Sequence, residues 1–133
     1  MHLKDYQAQF TDEGVRLVRC AIGDGCVPLA EIVAVLDRAG RGDLSASLEP
    51  GALEARHIRL FTPGWWEGYP PREARELAVA IGRLRHRCLA PTADARTPWE
   101  RLAPGPDIVA YERDHLRRSV AYMRALGWMP ELH

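Results

Sequence analysis

The sequence predicts an α/β chain, and three observations predict it. Residues 29–36 carry Leu29, Ile32, Val33 and Leu36 at i, i+3, i+4 and i+7, the apolar stripe of a helix. Residues 44–49 alternate, with Leu44, Ala46 and Leu48 facing one way and Ser45, Ser47 and Glu49 the other, the pattern of a strand. Residues 2–5 are too short for periodicity to settle their type, and taken as a strand they give the order strand, helix, strand, which implies a parallel pair joined by a crossover.

Taken in order, His2 and Lys4 share one face of the first strand. Residues 6–14 read as polar and turn-like. Residues 15–22 are rich in β formers, with Val15 and Leu17 on one face and Val18 and Cys20 on the other, as a strand or an extended loop. Pro28 suits the first turn of the next helix, where a missing N–H costs nothing. Gly40 reads as its C-terminal cap and Gly42 keeps the following connection short. Pro50 and Gly51 end the second strand directly behind Glu49.

Residues 50–71 form a long connection containing Trp65, Trp66 and Tyr69. A second helix starts at Pro71, with Ala74, Leu77, Ile81, Leu84 and Cys88 along one stripe. Residues 90–107 are a Pro-rich loop. Asp107 is placed to N-cap a third helix that runs to about Leu126, with Val109, Leu116, Val120 and Met123 in its stripe. Gly127 closes that helix and Pro130 bars its extension.

With 133 residues the chain has the size of one domain, and at 47% hydrophobic and 27% charged its composition is that of an ordinary soluble protein. Lys plus Arg and Asp plus Glu both number 18, so no net charge draws it to phosphate backbones or anionic lipid. The basic run at residues 83–87 reads as a solvated helix face. No apolar run approaches a membrane span, the first residues hold no secretory h-region, and three cysteines without C-x-x-C spacing read as reduced thiols of a cytoplasmic protein. Two parallel strands are too few for a stable sheet, so the chain reads as part of a larger α/β sheet or barrel. Met1 directly before a strand residue fits a truncation or an internal start.

The segments HLKD, IGDGCVPLAEIVAVLDRAG and LSASLEP together resemble the C-terminal part of xylose isomerase-like (β/α)8 TIM barrels, the sugar phosphate isomerase/epimerase family. The match covers residues 1–49, and RRSVAYMRAL in residues 107–126 resembles the last helix of that family more loosely. The resemblance implies that residues 1–49 hold the last two barrel strands and the helix between them. Residues 50–106 are then an added loop and helix insertion after the last strand, and residues 107–133 the final helix and tail. It also implies a metal-dependent isomerase or epimerase that moves a proton next to the carbonyl of a sugar or sugar phosphate. His2 and Glu49 would bind a divalent metal (Mn, Mg or Zn), Glu49 would also carry the proton, and Lys4 would contact substrate oxygens.

Other readings stay open. An endonuclease IV-like repair enzyme would need more histidines than lie between His2 and Glu49, and no nucleic acid is expected as partner. A non-catalytic barrel fragment would act by association, and either self-association or pairing with the missing barrel portion is expected. The Gly23-Asp24-Gly25 segment reads as a turn rather than a phosphate loop, and Asp5 as the cap of a turn. His57, His86, His115 and His133 lack metal spacing. Trp65, Trp66 and Tyr69 either line a substrate mouth or pack against the added helix or a second subunit.

Overall fold

A computed structural model describes residues 1–41, 44–51 and 53–128. Gly42, Pro130 and His133 lie outside the described residues. The parallel pairing forms as expected but over shorter strands than residues 2–5 and 44–49: β1 (His2–Leu3) lies beside β4 (Ser47–Leu48), with His2 opposite Ser47 and Leu3 opposite Leu48, and residues 44–46 are not strand. The Ser47 amide donates to the Met1 carbonyl at 2.8 Å and the Glu49 amide to the Leu3 carbonyl at 3.1 Å, extending the ladder to the carboxylate residue. Between them in the chain, α1 (Leu29–Arg38) buries Leu29 and Val33.

α1 ends in a Schellman motif. Gly40, at φ +68°, donates its amide to the Asp37 carbonyl at 3.0 Å, and the Arg41 amide reaches the Leu36 carbonyl at 2.9 Å. The end of α3 (Gly105–Ala125) repeats it, with Gly127 at φ +75° bonded to Arg124 and Trp128 bonded to Met123. Both glycines are demanded by the left-handed backbone that these bonds require.

Of residues 6–14 only Asp12 and Glu13 form a turn. β2 (Asp5–Thr11) and β3 (Gly14–Cys20) form an antiparallel hairpin with Thr11 opposite Gly14. Two further strands come from the stretch expected to be loop and helix. β5 (Arg56–Ile58) pairs with β3, and β6 (Cys88–Leu89) pairs in parallel with β2, giving a four-stranded sheet in the order β5-β3-β2-β6. The polar residue that disguised β2 is Gln9. It is only 6% exposed, and its amide nitrogen donates to the carbonyls of Ala90, Pro91 and Ala93 at 3.0, 3.3 and 2.8 Å. A buried glutamine with that many partners reads as strand interior, although its side chain belongs to the polar class.

α2 (Ala74–Arg85) begins three residues after Pro71 and buries no residue fully; Leu77, Ile81 and Leu84 are its half-buried face. α3 begins at Gly105 with Pro104 as N-cap, so Asp107 lies within the first turn rather than before it. Its covered face also differs from the expected stripe. Val109 and Leu116 are 52% and 43% exposed, while His115, Ser119 and Met123, spaced four apart, are buried. The preference is physical: the Ser119 hydroxyl donates to the His115 carbonyl at 2.6 Å and accepts the Ile22 amide at 2.9 Å, fastening the helix to the loop after β3.

One buried cluster joins Leu3, Ile22, Leu29 and Met123, with Val27, Leu48, Tyr122, Leu126 and Trp128 packed around it. The parallel pair, α1 and α3 therefore share a core. A second lock ties the Pro-rich loop to β3. Thr97 and Glu100 satisfy each other's amides at 3.2 and 2.7 Å, a capping box, and Arg16 Nη2 reaches both Glu100 oxygens at 2.6 Å. Among the described residues the architecture is mixed α/β, with two small sheets and three helices. No helix among them is long and apolar enough to cross a membrane.

Candidate active site

The end of the parallel pair gathers three side chains. Strand alternation sends Leu3 into the core and leaves His2 and Lys4 on the other side, and Glu49 stands one residue beyond β4. His2 Nδ1 contacts Glu49 Oε1, and Lys4 Nζ lies 2.7 Å from Glu49 Oε2. All three predicted site residues thus meet at one carboxylate. The hydrogen bond from Lys4, followed by that from His2, holds the Glu49 carboxyl below its ordinary range. Ligation of a metal requires that ionised form. The trio is open to solvent, with the Lys4 and Glu49 side chains 37% and 32% exposed and that of His2 70%.

The chemistry of this donor set suits part of a hard-cation site. An imidazole nitrogen and a carboxylate oxygen already in contact can both turn to one cation. Among the described residues no group of three His, Cys, Asp or Glu side chains is placed to hold a metal ion, and His2 with Glu49 is a pair of donors in contact.

Behind the trio the Gly23-Asp24-Gly25 loop is shaped by a residue of β2. Asp5 is fully buried, at 0% exposure. Its Oδ2 accepts the amides of Gly23 and Gly25 at 2.9 and 3.0 Å, and its Oδ1 those of Tyr6 and Val27 at 2.8 and 3.1 Å. The loop does cradle an anion with its backbone amides, but the anion is the chain's own carboxylate. The turn readings of this loop and of Asp5 hold, and the amides are not free for a phosphate. A Cβ at Gly25 would overlap the Asp5 carboxylate, so the close approach needs glycine there. No family model matches this chain, and neither does any curated protein or solved structure.

The aromatic cluster lies elsewhere. Trp65 and Tyr69 stack at 6.1 Å, Trp66 meets Tyr69 edge-on at 6.1 Å, and the Trp66 indole donates to the Leu60 carbonyl at 2.9 Å. Trp66 and Tyr69 line a cavity of about 360 Å³ with Pro70, Pro71, Arg72, Glu73, Ala74 and Leu77. None of His2, Lys4 or Glu49 lines it. Trp66 and Tyr69 share this cavity with the start of α2.

Of the other histidines, His57 shares a 2.8 Å hydrogen bond with the Thr11 hydroxyl and stands 3.8 Å from Glu13. His115 is 4% exposed, with its Nδ1 unbonded among the described residues and its ring 3.9 Å from that of Tyr111. Burial, then the Arg118 charge, pushes its pKa down and favours the neutral ring. Sequence spacing held no signal for this burial, because a histidine among arginines reads as helix surface. All three cysteines are free, and burial, reinforced by Asp5 and then Asp24, pushes the Cys20 thiol up to about 12.

Proposed function

We propose that this chain is the C-terminal portion of a xylose isomerase-like (β/α)8 barrel and serves a metal-dependent sugar or sugar-phosphate isomerase or epimerase. The observation that carries the reading is the convergence of His2 and Lys4 on Glu49 at the end of a parallel pair. Ligands of α/β sheets gather at the carboxyl ends of their strands.

In this reading His2 Nδ1 and Glu49 Oε1 hold a divalent cation. The cation, when bound, polarises the substrate carbonyl. Glu49, kept ionised by Lys4, accepts the proton from the carbon next to that carbonyl and returns it to the product. Lys4, 2.7 Å from Glu49 in this arrangement, orients a substrate oxygen with its ammonium group. The remaining metal ligands and a second acid–base carboxylate come from the other barrel strands, on a longer chain or a partner.

The test is manganese affinity and epimerase activity in the assembled barrel. Glu49→Gln keeps the shape of the side chain and removes its charge. It should weaken manganese binding by more than about tenfold and abolish turnover, since a ligand and the proton carrier are lost together. Unchanged manganese affinity would exclude Glu49 as a ligand.

A non-catalytic role by association is the second reading. The exposure of Ile32 and Val35 on α1 and of Val109 and Leu116 on α3 among the described residues favours it, because exposed apolar side chains drive association.

A further inference from the structure

We propose that the cavity between α1 and the C-terminal end of α2 binds the phosphate group of a small phosphate monoester. The cavity measures about 430 Å³ and is lined by Cys26, Pro28, Glu31, Arg83, His86 and Arg87. Three of these six are nitrogen donors contributed by one turn of chain. Arg83 lies in the last turn of α2, His86 caps that helix, and the Arg87 amide closes back on the Leu84 carbonyl at 3.0 Å.

Basic residues in a last helical turn often only complement the helix dipole. Two observations go beyond that. Among the described residues none of the Arg83, His86 and Arg87 side chains makes a hydrogen bond or an ion pair, although Glu31 lines the same cavity. Arg85, between them, is engaged elsewhere, with its guanidinium 5.7 Å from the Phe10 ring centre. The basic run at 83–87 therefore divides. One arginine packs on the sheet, and the other two line one cavity with Glu31, where two cationic side chains against a single carboxylate favour a bound anion.

The donor set selects the anion. Two guanidinium forks and an imidazole N–H offer more donors than the two oxygens of a carboxylate can accept, whereas the three terminal oxygens of a phosphate monoester match them. The amino end of α1 lines the cavity through Pro28, and the positive end of its dipole offsets the negative end of α2 there. The volume admits the phosphate with a small organic body. This site shares no residue with His2, Lys4 and Glu49.

Calorimetric titration of the full chain without added metal tests the site, with glycerol 3-phosphate, inorganic phosphate and glycerol at constant ionic strength. Saturable binding of both phosphates and none of glycerol is expected. Arg83→Gln and Arg87→Gln, both at exposed positions, should each weaken binding about tenfold with the circular dichroism unchanged. Glu31→Gln should tighten it about threefold by removing a like charge. Tighter binding of glycerol 3-phosphate assigns the site to an ester, equal affinity assigns it to the free ion, and both uphold the phosphate site. Absence of saturation, or affinities unchanged in both arginine variants, overturns it. Because no metal is present, this outcome is separate from that of the manganese test.

Discussion

At the scale of single residues, Asp5 does the most for the geometry around the candidate site. Its two oxygens accept four backbone amides, from Tyr6, Gly23, Gly25 and Val27. Three of those amides, Gly23, Gly25 and Val27, belong to the loop before α1, and each buried donor left unpaired costs about 1–3 kcal/mol. Asp5→Ala should therefore lower unfolding stability by at least about 3 kcal/mol, read as a fall in the urea midpoint at unchanged slope. Asp5→Asn should recover only part of that, because its NH2 group must face donors. A midpoint within error of the parent in Asp5→Ala would show that the loop is held by its other contacts. The loop leads directly into α1, so amide exchange at residues 23–27 should rise in the same variant.

At the scale of elements, what the sequence made legible follows from how local the controlling physics was. The α1 stripe, its glycine terminator and the alternation ending at Glu49 depend on residues within one or two turns, and α1, Gly40 and β4 stand where they were expected. Gly40 offers a clean check. A Cβ there would meet nothing within 4 Å, so Gly40→Ala tests backbone strain alone. It should cost about 1 kcal/mol, measured as a midpoint shift, with a larger loss indicating that α1 frays back past Leu36. Elements that depend on distant partners were not legible. β2 hides behind Gln9, whose carbonyl partners lie more than eighty residues away at Ala90, Pro91 and Ala93. The strands β5 and β6 are three and two residues long, too short for any periodicity to mark them. In α3 the buried face runs through His115 and Ser119 because Ile22 supplies a partner for the serine, and helical hydropathy alone chose Val109 and Leu116 instead. The candidate site was legible for the opposite reason: alternation placed His2, Lys4 and Glu49, and the parallel register then brought them together.

At the scale of the molecule, the question is how the chain satisfies the surfaces that its own elements leave open. β1 and β4 form a sheet of two strands, and each has one edge unpaired by the other. Parallel pairs of this size are stable only when extended and covered. The helices add to the demand: Ile32 and Val35 on α1, Val79 on α2, and Val109 and Leu116 on α3 are all at least 36% exposed. Among the described residues a cavity of about 240 Å³ lined by Leu3, Leu44, Leu48, Met123 and Trp128 lies beside the parallel pair. Burial of such surface is worth about 25 cal/mol per Å² and drives association when no intramolecular partner is available. The chain by itself should therefore sediment as a concentration-dependent oligomer, and on the proposed reading it should show no epimerase activity with added manganese, since His2 and Glu49 would supply two ligands where the chemistry needs more. Introducing charge where strands and helices would meet a partner, as in Val35→Glu with Leu116→Glu, should shift sedimentation toward the monomer without unfolding it, because both positions are exposed in the chain itself. A stable monomer at every concentration, active on a sugar or sugar phosphate, would show that the chain completes both its sheet and its metal site from its own residues.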